Sequence, residues 1–164
     1  MLALWTAILV TLSDQWTKHW VRHDFYYGES RPVIEGFFNF TYIRNTGAAW
    51  GIMGGYTHVL TAISVIMLIL MVIFRRSFLN NTWSHRLALG FMVGGIVGNL
   101  MDRLRQGWVT DFLDFYIGSW HWPCFNIADA AICVGVGIYL LTGFLDQRRL
   151  EAAARGAPPS DRVA

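Results

Sequence analysis

Four stretches of the chain are almost free of charge, and they restrict its architecture more than any other feature. They run approximately Leu2–Val21, Thr57–Phe74, Leu87–Met101 and Ile127–Leu145. A helix that crosses a bilayer takes roughly 20 apolar residues, with a range of about 17–25. The second and fourth stretches meet that length directly. The third meets it by taking in Arg86 at one end and Asp102–Arg103 at the other; the first is interrupted by Ser13–Asp14 and closes on Lys18 and Arg22. Hydrophobic residues make up 54% of the 164 positions and charged residues 15%, against about 25% charged in a soluble domain. The expected fold class is an all-α polytopic membrane protein with four transmembrane helices, at about 2–21, 57–74, 86–103 and 127–145. One membrane-embedded domain should fill residues 1–147, followed by a tail at 148–164.

The N-terminal stretch lacks a basic lead-in and a small-x-small cleavage site, so it reads as a retained first span. Net charge is +2, with no basic cluster interleaved with aromatics, so nucleic acid is not an expected partner. Cys124 and Cys133 form neither a disulfide framework nor a CxxC pair. Arg75, Arg76 and Arg86 crowd the short link between the second and third spans, and Arg148, Arg149, Arg155 and Arg162 lie in the tail. By the positive-inside rule both segments, and both termini, are cytoplasmic. The tail should continue as helix through "DQRRLEAAAR" and end in a disordered "GAPPSDRVA".

Between the first two spans, Phe38, Phe40 and Tyr42 alternate with Asn39, Thr41 and Ile43, the period of a half-buried strand. Asn45-Thr46-Gly47 then supplies turn chemistry. An aromatic-rich interfacial loop fits that segment equally well. In the third span Gly90, Gly94 and Gly98 form a row on one helix face, suited to close backbone approach.

The polar residues of the spans gather at one depth. At 1.5 Å per residue, Asp14 lies roughly 18 Å and Lys18 roughly 24 Å from an inner start at Leu2. Asn99, Asp102 and Arg103 close the third span on the same side, and Asn126 and Asp129 open the fourth. Each has a structural explanation: a helical ion pair for Asp14 and Lys18, interfacial snorkelling for Asp102 and Arg103, a helix start for Asn126 and Asp129. Their coincidence favours function, because ionisable groups inside a membrane are costly.

The chemistry narrows by elimination. There is no GxSxG frame or Cys/His pattern. His19 and His23 are four apart, but Trp20 stands where HExxH needs glutamate. Carboxylates remain. Asp129 and an aspartate of "TDFLDF", either Asp111 or Asp114, can meet at the ends of one hairpin. Two carboxylates in one site share a proton, so one acts as base on water while the other protonates a carbonyl. That is aspartic peptidase chemistry; it needs no cofactor, and no metal site is expected. The alternatives are a proton- or cation-coupled transporter using Asp14, Asp102 and Asp129, and a packing subunit that relies on the glycine row.

"DQWTK" (14–18), "RNTGAAW" (44–50), "GGIVGNLMDR" (94–103), "VTDF" (109–112) and "FNIADAAI" (125–132) occur in that order. Together they resemble the lipoprotein signal peptidases (signal peptidase II) of bacteria, over roughly residues 8–140. The resemblance implies four transmembrane helices, a small extracytoplasmic β-cradle and an interfacial helix or lid segment in the bacterial cytoplasmic membrane. It implies an aspartic endopeptidase that cuts diacylglyceryl-modified prolipoproteins before the lipidated cysteine, at the outer face. Matched residue by residue, it makes Asp111 and Asp129 the catalytic pair and assigns Asn45, Gly47, Asn99, Arg103 and Asn126 to substrate binding or positioning. Asp14 and Lys18 become a structural polar pair. Diacylated prolipoproteins and membrane lipids are the implied partners, and a monomer is expected.

Overall fold

The computed structural model describes residues 1–48, 52, 54–75 and 83–156. In chain order these form α1 (Leu2–Asp24), β1 (Ser30–Ile34), β2 (Phe38–Asn45), α2 (Thr57–Ile73), α3 (Trp83–Gln106), β3 (Val109–Ile117), β4 (Trp120–His121) and α4 (Ile127–Gly156). Each of the four apolar stretches is a helix. α3 and α4 are both long and apolar enough to cross a membrane, whereas α2 has 17 residues. The helical continuation through "DQRRLEAAAR" is present in α4; residues 157–164, where disorder is expected, lie outside the described residues.

Glycine decides how closely the helices meet. A Cβ on Gly90 would lie 2.7 Å from the Ala3 carbonyl oxygen, and one on Gly94 would lie 2.7 Å from that of Ala7. The row therefore seats α1 directly against the α3 backbone, the close approach small residues permit in apolar surroundings. On its other side α3 meets α4, where a Cβ on Gly135 would lie 2.8 Å from the Ala88 carbonyl oxygen. Met71 of α2 joins Ala88, Leu89, Met92 and Ile96 of α3 in one buried apolar cluster. The outward faces are left apolar: Ile63, Ile66, Ile69 and Val72 of α2 are exposed, as are Val134, Leu140, Leu141 and Phe144 of α4. Apolar helix faces on this scale suit hydrocarbon as their solvent.

The strands make one antiparallel sheet in the order β1-β2-β3-β4, with α2 and α3 inserted between its two central strands. β2 is the strand that alternation predicts; β1, β3 and β4 carry no such pattern, and with β2 they form a small antiparallel sheet of the kind the resemblance implies. Gly107, at φ 82, stops α3 and donates its N–H to the Arg103 carbonyl at 3.1 Å, so the chain turns straight into β3. The register of β2 on β3 shifts between Phe40 and Ile43, after which Ile43 faces Asp111 and Asn45 faces Val109. Such a shift inserts an extra residue and re-aims the side chains beyond it. Just before α4, Phe125 exchanges backbone hydrogen bonds with β3: its carbonyl accepts from Phe112 at 3.0 Å and Leu113 at 2.8 Å, and its N–H donates to Leu113 at 3.2 Å. This clasp holds the first turn of α4 beside Asp111. No interfacial helix occurs among the described residues; 49–51, 53 and 76–82 lie outside them.

Candidate active site

Asp111 and Asp129 line one cleft of about 430 Å³, together with Asn45, Gly47, Asn99 and Arg103. Its remaining walls include Ala48, Val109, Trp122, Phe125, Ala130, Ile132 and Cys133, so it is chiefly apolar around a small polar floor. Four elements supply that floor: β2 brings Asn45, β3 Asp111, α3 Asn99 and Arg103, and α4 Asp129.

Among the described residues, the hydrogen bonds to the two carboxylates come from N–H groups, which donate and cannot accept. Asp111 accepts from the Asn45 amide at 2.8 Å and the Asn126 amide at 2.7 Å, one on each oxygen. Asp129 accepts from the Asn99 amide at 2.7 Å and from the Asn126 backbone N–H at 3.2 Å. The amide orientations follow from chemistry, because each amide oxygen is already taken by a group that can only donate. The Gly47 N–H holds the Asn45 oxygen at 2.9 Å, the Lys18 ammonium the Asn99 oxygen at 2.8 Å, and the Asp129 N–H the Asn126 oxygen at 3.0 Å. The amide nitrogens are thereby aimed at the carboxylates. Burial first, and then the negative charge of Asp129, push the Asp111 carboxyl up to about 7; the hydrogen bonds from Asn45 and Asn126 pull the other way.

The helix-start reading of "NIAD" is also correct. Asn126 and Asp129 exchange side-chain and backbone hydrogen bonds in the reciprocal pattern of a capping box. The capping role and the place in the cleft coexist, since each carboxylate oxygen has more than one lone pair.

Asp14 and Lys18 form an ion pair of 2.9 Å with both side chains fully buried. Asp14 also accepts from the Ala128 N–H at 2.9 Å, tying α1 to the start of α4. Asp102 does not snorkel, because it is only 1% exposed. It accepts from Arg22 at 3.2 Å and from the Thr110 N–H at 3.0 Å, which pins the residue before Asp111 to the end of α3. Arg103 reaches the Gly47 carbonyl at 3.4 Å. Of the two aspartates left open by the sequence, Asp114 lies away from the cleft. It accepts from Thr41 at 2.9 Å and pairs with His121 at 2.8 Å. Three positions apart on one strand, Asp111 and Asp114 point to opposite faces.

Sequence reasoning missed Gln15, which bridges Asp14 and the Gly98 carbonyl, and Thr110, which accepts from Arg22 at 3.0 Å. Neither is ionisable, so a search by charge passes over both; an eye for amides inside spans could have found Gln15. Both cysteines are free thiols. Cys124 is in the cleft wall, where burial pushes its thiol up, so it is a poor nucleophile.

Two carboxylates in one chiefly apolar cleft, beside helices with apolar outward faces, are an arrangement suited to aspartic peptidase chemistry. The family model described as "Signal peptidase (SPase) II" matches residues 6–145. Lipoprotein signal peptidase from Shewanella loihica is 43% identical over 149 residues, covering 88% of this chain and 87% of that protein. The Serratia proteamaculans lipoprotein signal peptidase is 39% identical over 162 residues, covering 93% and 92%. A bacterial membrane enzyme solved by the in meso method at 2.3 Å superposes with a TM-score of 0.83, at 30% identity, over 99% of this chain and 93% of that one. A second, solved at 1.9 Å, gives 0.77 at 34% identity over 85% and 90%. The chain belongs to the signal peptidase II family, whose members are aspartic peptidases.

Proposed function

We propose that this peptidase removes signal peptides from prolipoproteins whose cysteine carries diacylglycerol, cutting before that cysteine, with Asp111 and Asp129 as the catalytic pair. The observation that carries the reading is the donor-only shell around two carboxylates in one cleft. A proton on either carboxyl finds no acceptor in that shell, so it is offered to the other carboxylate or to whatever fills the cleft. With the proton on the more buried Asp111, Asp129 serves as base toward a water molecule. That water attacks the scissile carbonyl, giving up a proton to Asp129 while Asp111 protonates the carbonyl oxygen. Asp129 then protonates the leaving amine nitrogen as the C–N bond breaks, and Asp111 takes its proton back from the diol hydroxyl. Asn45, Asn99 and Asn126 hold the carboxylates; Gly47 and Arg103, which also line the cleft, position the peptide.

The apolar walls suit a lipidated residue whose acyl chains stay in the bilayer. In this reading all four helices cross the membrane as a single domain of residues 1–147, with both termini cytoplasmic and the sheet and cleft at the outer face. The transporter alternative finds no support, since the family is that of a peptidase.

The test is processing of a diacylated prolipoprotein by the purified protein. Asp111→Asn and Asp129→Asn should each lower the rate by about a hundredfold or more, since general acid–base catalysis contributes about 10²–10⁴. Near-normal cleavage by both folded variants would falsify the reading.

A further inference from the structure

Lys18 is fully buried on α1 and does not line the cleft. Its ammonium lies 2.9 Å from Asp14, 3.5 Å from Asp102 and 2.8 Å from the Asn99 amide oxygen. An ammonium only donates, so the Asn99 atom that faces it must be oxygen. The amide nitrogen then has one direction left, toward Asp129 at 2.7 Å. We propose that Lys18 is a positioning residue for the cleavage reaction: acting through Asn99, it keeps a donor and never an acceptor against Asp129. The proposal rests on Asp111 and Asp129 being the catalytic pair.

Asn99 differs from the other two amides of the shell. Asn45 and Asn126 take their orientation from backbone N–H groups, which stay in place as long as the chain is folded. Asn99 takes its orientation from side chains. Asn126 also donates to its oxygen, at 3.2 Å, but shares that nitrogen with Asp111 at 2.7 Å. Without the ammonium, Asn99 can turn over and set its oxygen against Asp129. A carboxyl that faces an acceptor keeps its proton, and the pair then lacks a base at the pH where it normally works.

The charged groups around this chain are Asp14 and Arg22 from α1, Asp102 and Arg103 from α3, Asp111 from β3 and Asp129 from α4. If Lys18 served only to neutralise Asp14, removing both together would leave the reaction intact. Positioning predicts otherwise.

The experiment compares Asp14→Asn with the double variant Asp14→Asn/Lys18→Met in the purified full chain, with diacylated prolipoprotein as substrate. The double variant strands no buried charge, since cation and anion leave together and Asp102 keeps Arg22. Asp14→Asn should keep the wild-type shape of the kcat–pH profile. The double variant should lose about 10–100-fold in kcat, a part of the about 10²–10⁴ that acid–base catalysis supplies. Its KM should stay within about twofold, since the lost interaction is not one made with bound substrate. The acid limb of its profile should move to higher pH. Equal kcat and equal profiles in the two variants overturn the proposal.

Should the double variant fail to fold, Asn99→Asp answers the same question. It keeps the shape and the Lys18 contact but cannot donate to Asp129, so it should show the same loss and shift; wild-type behaviour overturns the proposal. Asp111→Asn and Asp129→Asn in the same assay separate the two readings. If both cleave normally, the catalytic pair is wrong; if both are inactive while the double variant matches Asp14→Asn, only the positioning role fails.

Discussion

Asp111 is 2% exposed and Asp114 8% exposed, yet they are built for different work. Asp111 sits between two amide donors in the cleft, with its carboxyl raised to about 7. In the proposed mechanism the rate of cleavage should therefore fall as pH rises through about 7, where Asp111 loses the proton it would donate; a flat profile from about pH 6 to 9 would contradict this. The sign can be tested further. Asn45 donates to the ionised form of Asp111, so Asn45→Ala should weaken catalysis and move the alkaline limb to higher pH. A limb that stays in place or moves down would show that this hydrogen bond does not set the titration. Asp114, by contrast, links Thr41 to His121 within the sheet. Asp114→Asn should keep most of the activity while costing about 1–3 kcal/mol of stability, read by thermal unfolding in detergent. Loss of activity equal to that of Asp111→Asn would assign Asp114 a part in the chemistry.

At the scale of elements, the site depends on how tightly α3 is gripped from both sides. Gly95 meets the carbonyl of Ala128 in the first turn of α4, one residue before Asp129. A methyl group there collides with backbone, which cannot rotate away, so Gly95→Ala should push that turn off Asn99. Overpacking of this kind costs about 1–3 kcal/mol, and the rate should fall with stability because the same turn carries Asp129. Gly137 is the control: a Cβ there meets nothing within 4 Å, so Gly137→Ala should leave the rate unchanged and the melting temperature equal or slightly higher. Equal effects at the two positions would mean that helix packing does not position the pair. The glycine row at 90, 94 and 98 was readable from spacing alone, since four-residue intervals put residues on one helix face. The second contact, through Gly95 and Gly135, was not, because one glycine on each of two helices makes no period.

For the whole molecule, the outward apolar faces and the inward charges give the reverse of a soluble protein's arrangement. Its interior holds Asp14, Lys18 and Asp102 in mutual contact, and its surface holds isoleucine, leucine and valine. The proposed topology, four crossings with cytoplasmic termini, predicts that a cysteine at position 30 reacts with an impermeant thiol reagent from outside the cell and one at position 80 only from inside. Both are best introduced in a background lacking Cys133, which is itself exposed. Labelling of position 80 from outside would overturn the orientation.

The four helices, and Asp129 among the candidate carboxylates, were legible in the chain because apolar length and intramembrane charge are local properties, set by cost at each residue. The strand at Phe38–Asn45 was legible for the same reason, since alternation is local. β3 was not, because "VTDFLDFYI" is buried along most of its length and shows no clean alternation. Choosing Asp111 over Asp114 on physical grounds needed the β2–β3 register and the Phe125 clasp, both products of backbone pairing between distant segments. The amide orientations are tertiary as well: each depends on which obligate donor arrives from another turn or another element. Composition and spacing could thus say that carboxylates gather at one depth; only packing could say which N–H donors, among the described residues, face them.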